Sequence, residues 1–278
     1  MDIPAPSIKL LIAVPAYNEE KDLPHLLEQL EPWKEDVLVI DDGSLDQTAK
    51  CIIEKGFKFM QMETNQGLAM FYRNAALHAS KNGYTHLLAI DADGQHDTSY
   101  IPAFREKLHQ YDLVTGNRFH FTEGLSGSKI ASNLFAILLF KEFLNISLPD
   151  VACGYMGMKL EVIPDDDTIS RFEIIYELRA RHALAGKHCG SVRIPAIYHP
   201  NSQMNTNISE IDGLIRAVSR YNSSPVLTSI LESIRCRSDF SISLSGFEFE
   251  SVFNGTGAYR FITNDQKARE YFTVVNQE

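Results

Sequence analysis

The chain has 278 residues, enough for one large α/β domain or for a domain with an appendage. Hydrophobic residues make up 44% and charged residues 22%, the balance of a soluble globular protein rather than a fibrous or low-complexity one. Lys and Arg number 26 against 36 Asp and Glu, and the net charge of −10 argues against a nucleic-acid binder, which needs a basic surface for phosphates.

Residues 8–14 are apolar and read as a first strand, followed by the polar turn Pro15-Ala16-Tyr17-Asn18-Glu19-Glu20. Leu23, Leu26, Leu27 and Leu30 mark a helix by their spacing. A second strand over 37–40 runs into Asp41-Asp42-Gly43-Ser44, and Asp46 is a candidate N-cap for a helix over 48–55. A third strand over 57–62 is followed by Asn65-Gln66-Gly67 and a helix to about Ser80. A fourth strand over 85–90 opens onto Asp91-Ala92-Asp93-Gly94-Gln95-His96-Asp97. A helix over 99–109 and a fifth strand over 112–115 complete the alternation, which predicts βαβ units and a mostly parallel sheet.

The second half is less regular. Residues 126–144 predict a helix with a very apolar end, and 150–159 reads as a turn-rich segment around Cys153-Gly154-Tyr155. Residues 170–185 predict a helix with Ser170 as N-cap and Glu173 three residues on, a capping box. A strand over 188–197, an amphipathic helix through Ile208, Ile211, Leu214, Ile215 and Val218, a hairpin over 240–249 and a last helix over 264–275 follow. The amphipathic helix either packs on the domain or lies in a membrane interface, and Glu210 and Asp212 beside Arg216 and Arg220 deny it a basic bias. Asp165-Asp166-Asp167 reads as a solvated loop. A boundary near 200–206 divides a domain over 1–205 from a C-terminal α+β extension over 206–278.

Asp91 and Asp93 form the sharpest chemical signal. In extended backbone, residues two apart face the same way, so both carboxylates aim at one point. Hard oxygens so placed suit Mg²⁺ or Mn²⁺ shared with a phosphorylated substrate, and Gln95 offers a third, neutral oxygen. Four polar clusters, at 17–19, 41–44, 65–67 and 91–95, all follow strand carboxyl ends, where open α/β sheets bind ligands. Cys51, Cys153, Cys189 and Cys236 have no metal or redox spacing and read as reduced thiols. No leader pattern is expected at residues 1–9, and no apolar run approaches the ~20 residues of a membrane span.

The ordered set Val14-Pro15-Ala16-Tyr17-Asn18-Glu19, Asp41-Asp42-Gly43-Ser44, Asn65 and Gly67, Asp91-Ala92-Asp93-Gly94-Gln95-His96 and Gly116-Asn117-Arg118-Phe119 resembles the inverting GT-A-fold glycosyltransferases that include dolichyl-phosphate mannose synthases and bacterial polyprenyl-phosphate sugar transferases. The resemblance covers residues 8–120 closely and extends to about 205. It implies a Rossmann-like, mostly parallel sheet and transfer of a sugar from a UDP- or GDP-sugar to an acceptor, first a polyprenyl phosphate. It implies that Pro15, Tyr17, Glu19 and Gly67 border the nucleotide, and that Asp41 and Asp42 accept hydrogen bonds from base or ribose. By the same likeness, Asp91, Asp93 and Gln95 hold Mg²⁺ or Mn²⁺ on the donor diphosphate, and Arg118 contacts phosphate. Lys129 stands nearest to a second arginine with which lipid-phosphate transferases of this group grip the acceptor. Asp150 is the candidate base should the acceptor be a hydroxyl. The protein is then expected in the cytoplasm or peripheral at a membrane surface, with no nucleic-acid partner and no transmembrane segment.

The alternatives are a soluble saccharide or protein acceptor, or a non-catalytic nucleotide-sugar-binding or regulatory module on the same fold. A nucleotidyltransferase ranks below both, because the first strand is not followed by a glycine-rich loop bearing Arg or Lys.

Overall fold

The computed structural model describes residues 7–120, 122, 125–164, 168–169, 171–197 and 206–275. The Asp165–Asp167 loop, the Ser170 cap and all but the last residue of the expected boundary at 200–206 lie outside those residues. The chain divides into two compact units, each assembled from three stretches. The first comprises Met1–Gly116, Gly154–Thr168 and Gly186–Ile197, and the second Asn117–Cys153, Ile169–Ala185 and Tyr198–Glu278. The second unit therefore draws on both sides of residue 205.

In the first unit, β1 (Leu10–Ala16), β2 (Val37–Asp41), β3 (Lys58–Gln61), β4 (His86–Ala89), β5 (Leu113–Asn117), β6 (Met156–Lys159) and β7 (Cys189–Arg193) form one sheet in the order β3-β2-β1-β4-β6-β5-β7. β1 pairs in parallel with β2 and β4, and β2 in parallel with β3. β2 is buried along its whole length, as a strand covered on both faces must be. β6 pairs antiparallel with both β4 and β5, and it replaces part of the expected turn-rich segment. Its short sequence Met156-Gly157-Met158-Lys159 carries a turn signal in Gly157, yet the free edges of two neighbours hold it extended.

The helices of this unit are α1 (Leu23–Leu30), α2 (Thr48–Lys55), α3 (Leu68–Lys81) and α4 (Ile101–Lys107). α1 buries Leu23, Leu26, Leu27 and Leu30, the stripe its spacing predicts. Asp46 sits one residue before the N-cap of α2 and still serves it: its Oδ1 accepts from Thr48 N at 2.9 Å. α2 stops at Gly56, whose φ of +68° is the left-handed turn that ends helices.

In the second unit, α5 (Gly127–Leu144) is buried on nearly every side from Ile130 to Phe140, as an apolar helix without a polar face requires. α6 (Glu173–Leu184) packs against α7 (Ile208–Ser219), which also contacts α5 and α8 (Pro225–Cys236). The amphipathic face of α7 is thus covered by helices of its own unit. β8 (Thr206–Asn207), β9 (Phe240–Leu244), β10 (Phe247–Phe253) and β11 (Ala258–Ile262) form an antiparallel sheet in the order β8-β11-β10-β9. The expected hairpin is β9–β10; β11 and α8 are additions to the expected elements. Phe135 of α5 meets Phe249 and Phe261 of this sheet at ring distances of 5.6 and 4.9 Å. α9 (Asp265–Val275) closes the unit, its Arg269 donating to the Thr122 and Leu125 carbonyls.

Candidate active site

In the first unit, the loops after β1 and β2 are sewn to each other. Asn18, in left-handed backbone at φ 57°, accepts from Leu45 N and donates its own N–H to Ser44 Oγ, both at 2.9 Å. Glu19 N donates to Thr48 Oγ1 at 2.8 Å, and Glu20 N to Asp46 Oδ2 at 3.2 Å. Pro15 lies within β1, while the Tyr17 ring stands 43% exposed at the strand's end.

Asp41 is fully buried; its Oδ1 accepts from Ser44 N at 3.0 Å and its Oδ2 from Gln61 Nε2 at 3.1 Å. Asp42 takes Gln66 N on Oδ1 at 2.8 Å and Gly67 N on Oδ2 at 2.7 Å, fixing the turn that starts α3. Both carboxylates expected to meet base or ribose therefore organise loops. Gly43, which follows them, has φ +76°, and a Cβ there would lie 2.8 Å from the Thr64 carbonyl carbon, so the chain can pass only as glycine.

Beyond β4, Asp93 Oδ1 accepts from Gln95 N at 3.0 Å, and Gly94 makes the turn at φ 72°. Asp91 N donates to His96 Nδ1 at 3.1 Å, and His96 Nε2 lies 3.7 Å from Asp91 Oδ2. Glu19 reports the charge of the neighbourhood. Burial first, then Asp93, Asp22, Asp91 and Asp46, push its carboxyl up to about 7. Among the described residues, no three His, Cys, Asp or Glu side chains form a metal cage of their own. Two carboxylates in an electronegative corner match a Mg²⁺ or Mn²⁺ site of the kind completed by substrate phosphate oxygens and water.

In the second unit, Arg118 and Asp150 form a two-pronged pair: Nε donates to Oδ2 at 2.8 Å and Nη2 to Oδ1 at 3.1 Å. Asp150 Oδ1 also accepts from Ala152 N at 3.0 Å. Asp150 is fully buried, and the Arg118 side chain is 18% exposed. The candidate phosphate ligand and the candidate base are thus spent largely on each other, which leaves Asp150 poorly placed to take a proton from a hydroxyl. Lys129, in the first turn of α5, feels Glu210 in the first turn of α7. Burial lowers the Lys129 ammonium below its ordinary value, against the pull of Glu210. Burial raises the Glu210 carboxyl, opposed by Lys129 and Arg118. The amphipathic pattern of 208–218 puts Glu210 on a polar helix face. The signal available was a carboxylate in the first turn of a helix capped by Asn207, whose Oδ1 accepts from Ser209 N.

The glycosyl transferase family 2 model matches residues 11–165. An uncharacterised protein of Methanocaldococcus jannaschii is 31% identical over 171 residues, 56% of this chain and 74% of that one. The undecaprenyl-phosphate mannosyltransferase of Micrococcus luteus is 26% identical over 171 residues, 56% of this chain and 68% of that one. Among solved structures, glucosyl-3-phosphoglycerate synthase of Mycobacterium tuberculosis, in complex with Mn²⁺, UDP and glucosyl-3-phosphoglycerate, superposes with a TM-score of 0.56 at 16% identity. That match covers 92% of this chain and 87% of that one, and it is a likeness of fold, the GT-A arrangement.

Proposed function

Because the chain belongs to glycosyl transferase family 2, and is a glycosyltransferase of the GT-A fold, we propose that it moves a sugar from a nucleotide-sugar donor to a polyprenyl phosphate with the help of Mg²⁺ or Mn²⁺. The observation that carries the reading is the acidic corner after β4, where burial first, and then Asp93, Asp22, Asp91 and Asp46, raise the Glu19 carboxyl to about 7. Excess negative charge of this kind favours a cation bound beside it. The mannosyltransferase relative is named for undecaprenyl phosphate, which supports the acceptor, and the M. tuberculosis synthase of the same fold was solved in complex with Mn²⁺ and UDP, which supports the metal and the donor.

Asp91 and Asp93, with Gln95 beside them, would hold the ion. Bound there, it supplies charge neutralisation for the departing nucleoside diphosphate. The chain's own groups do the rest. Tyr17 presents an exposed ring to a base. Asp42 sets the turn at Gln66 and Gly67, and each of its oxygens keeps a lone pair for a donor hydroxyl. Lys129 offers a cation to an acceptor phosphate, which is already anionic and needs no strong base. The sugar passes through an oxocarbenium-like state and inverts. A lipid-phosphate acceptor places the protein at a membrane surface as a peripheral partner; among the described residues no helix is long and apolar enough to cross a membrane.

A second reading rests on Glu210. Burial raises its carboxyl above the ordinary carboxylate value while Arg118 holds both oxygens of Asp150, so a hydroxyl acceptor would be served by Glu210 rather than Asp150.

The test is transfer from radiolabelled UDP- and GDP-sugars, with Mn²⁺, to undecaprenyl phosphate and to a panel of saccharides. Asp93→Ala is expected to bring transfer to background while the melting temperature holds. Wild-type transfer by that variant would sink the metal assignment. Donor binding without transfer to any acceptor would favour a binding module.

A further inference from the structure

The Asp91 carboxylate is confined from two sides by residues to which the reaction has so far given no role. On one side stands His96, only 4% exposed. Its Nδ1 accepts the Asp91 backbone N–H at 3.1 Å, so the ring proton sits on Nε2. That nitrogen lies 3.7 Å from Asp91 Oδ2. One ring thus engages both the main chain and the carboxylate of the same residue. On the other side stands Gly154, where a Cβ would fall 2.2 Å from Asp91 Oδ2 and 2.9 Å from its Cγ. The carboxylate occupies the space that any other residue at 154 would fill.

The His96 ring is itself held. It stacks on Tyr155 at 5.0 Å and 24°, and Tyr155 stacks in turn on Phe104 at 4.2 Å and 24°. Tyr155 is fully buried, and its carbonyl accepts from Gly116 N at 2.9 Å. A row of three rings therefore runs from α4 to the loop after β4, anchored to the end of β5. Such a row resists rotation of the imidazole, because aromatic contacts of this kind favour a narrow range of orientations.

We propose that His96 and Gly154 are positioning residues that fix the direction of the Asp91 carboxylate and so set the strength of divalent-cation binding. The inference rests on the assignment of Asp91 as a metal ligand. It fits the general behaviour of metal sites, where groups behind the ligands orient them.

The experiment measures Mn²⁺ binding to the full chain, alone and with UDP, by the electron paramagnetic resonance signal of free Mn²⁺, together with the melting temperature of each variant. His96→Phe keeps a ring on Tyr155 and loses the Nδ1 acceptor. His96→Asn puts an amide oxygen where Nδ1 stood. Gly154→Ala pushes a methyl group into the carboxylate, and Asp91→Asn is the reference. His96→Phe and Gly154→Ala are expected to weaken Mn²⁺ at least about tenfold at a melting temperature near wild type, with His96→Asn within about threefold of wild type. Wild-type Mn²⁺ affinity in folded His96→Phe overturns the proposal. If that variant does not fold, wild-type affinity in Gly154→Ala overturns it instead. Wild-type affinity in Asp91→Asn brings down the metal site itself; loss there with none in the other variants brings down only the positioning role.

Discussion

Arg118 grips both carboxylate oxygens of Asp150, at 2.8 and 3.1 Å, and Asp150 is fully sealed from solvent. A buried carboxylate so held has two possible losses on mutation, one of folding and one of chemistry, and they are separable. Asp150→Asn leaves a guanidinium facing an amide and should cost about 3–5 kcal/mol in urea unfolding, the usual penalty for orphaning a buried charge. The double variant Arg118→Met/Asp150→Leu should recover part of that loss. An Asp150→Asn protein as stable as wild type but inactive would instead return Asp150 to the role of base.

Asp42 joins two loops through Gln66 N and Gly67 N. Asp42→Ala should cost about 1–2 kcal/mol, the scale of a lost helix cap, and weaken UDP in the same preparation because the turn before α3 loosens. Calorimetric titration with UDP and Mn²⁺, beside chemical unfolding, checks both. Unchanged UDP affinity would show that the turn holds its shape without the carboxylate.

His86 gives the stability a defined acid limb. Burial, then Lys159 and His109, push its imidazole down to about 4, and Thr85 Oγ1 sits 2.8 Å from Nδ1. The folded state thus prefers the neutral ring. Between its unfolded value of 6.5 and about 4, the unfolded chain binds the extra proton, so stability rises with pH across that window. The contribution is complete above 6.5 and is lost as the pH falls to 4, a change of about 3 kcal/mol. Urea unfolding at pH 7, 5.5 and 4 should show His86→Gln losing less stability than wild type by about that amount. Parallel curves would mean that His86 is solvated in the native state.

Tyr221 donates to Glu177 Oε1 at 2.6 Å, and Arg220 Nε stands 3.4 Å from Oε2 of the same buried carboxylate. Arg220 also reaches Glu173 Oε1 at 2.6 Å, so α6 and the end of α7 are fastened through charge. Tyr221→Phe removes one hydrogen bond to an ionised group and should cost about 1.5–3 kcal/mol. Chemical unfolding reads the change, and a loss under half a kcal/mol would show that Arg181 and Arg220 satisfy Glu177 without it.

The sheet of the first unit was legible because its strands follow local rules. β1 and β2 are continuous apolar runs, and α1 shows a clean helical stripe. β6 was not, because its extended form is imposed by β4 and β5 from either side rather than by its own Met-Gly-Met-Lys. α8 does carry a local signal, Ser224 before Pro225 with Leu227, Ile230 and Ile234 on one face. The acidic clusters were correctly placed at strand ends. Their tasks were harder to read: Asp41 bonds to Ser44 within its own turn, but Asp42 reaches across to Gln66 and Gly67. The influence of Glu210 on Lys129 joins two helix starts far apart in the chain, and no spacing rule foretells it.

The order of β6 and β7 in the chain has a consequence for biosynthesis. The sheet admits β6 only after the chain has left for the second unit and come back, and β7 only after it has done so again. Until Lys159 has left the ribosome, β4 and β5 carry bare edges that a neighbouring nascent chain could pair with, and the far edge of β5 stays bare until Arg193 has followed. Slow translation or chaperone holding over residues 117–193 would therefore shape the yield of native protein more than the same delay elsewhere.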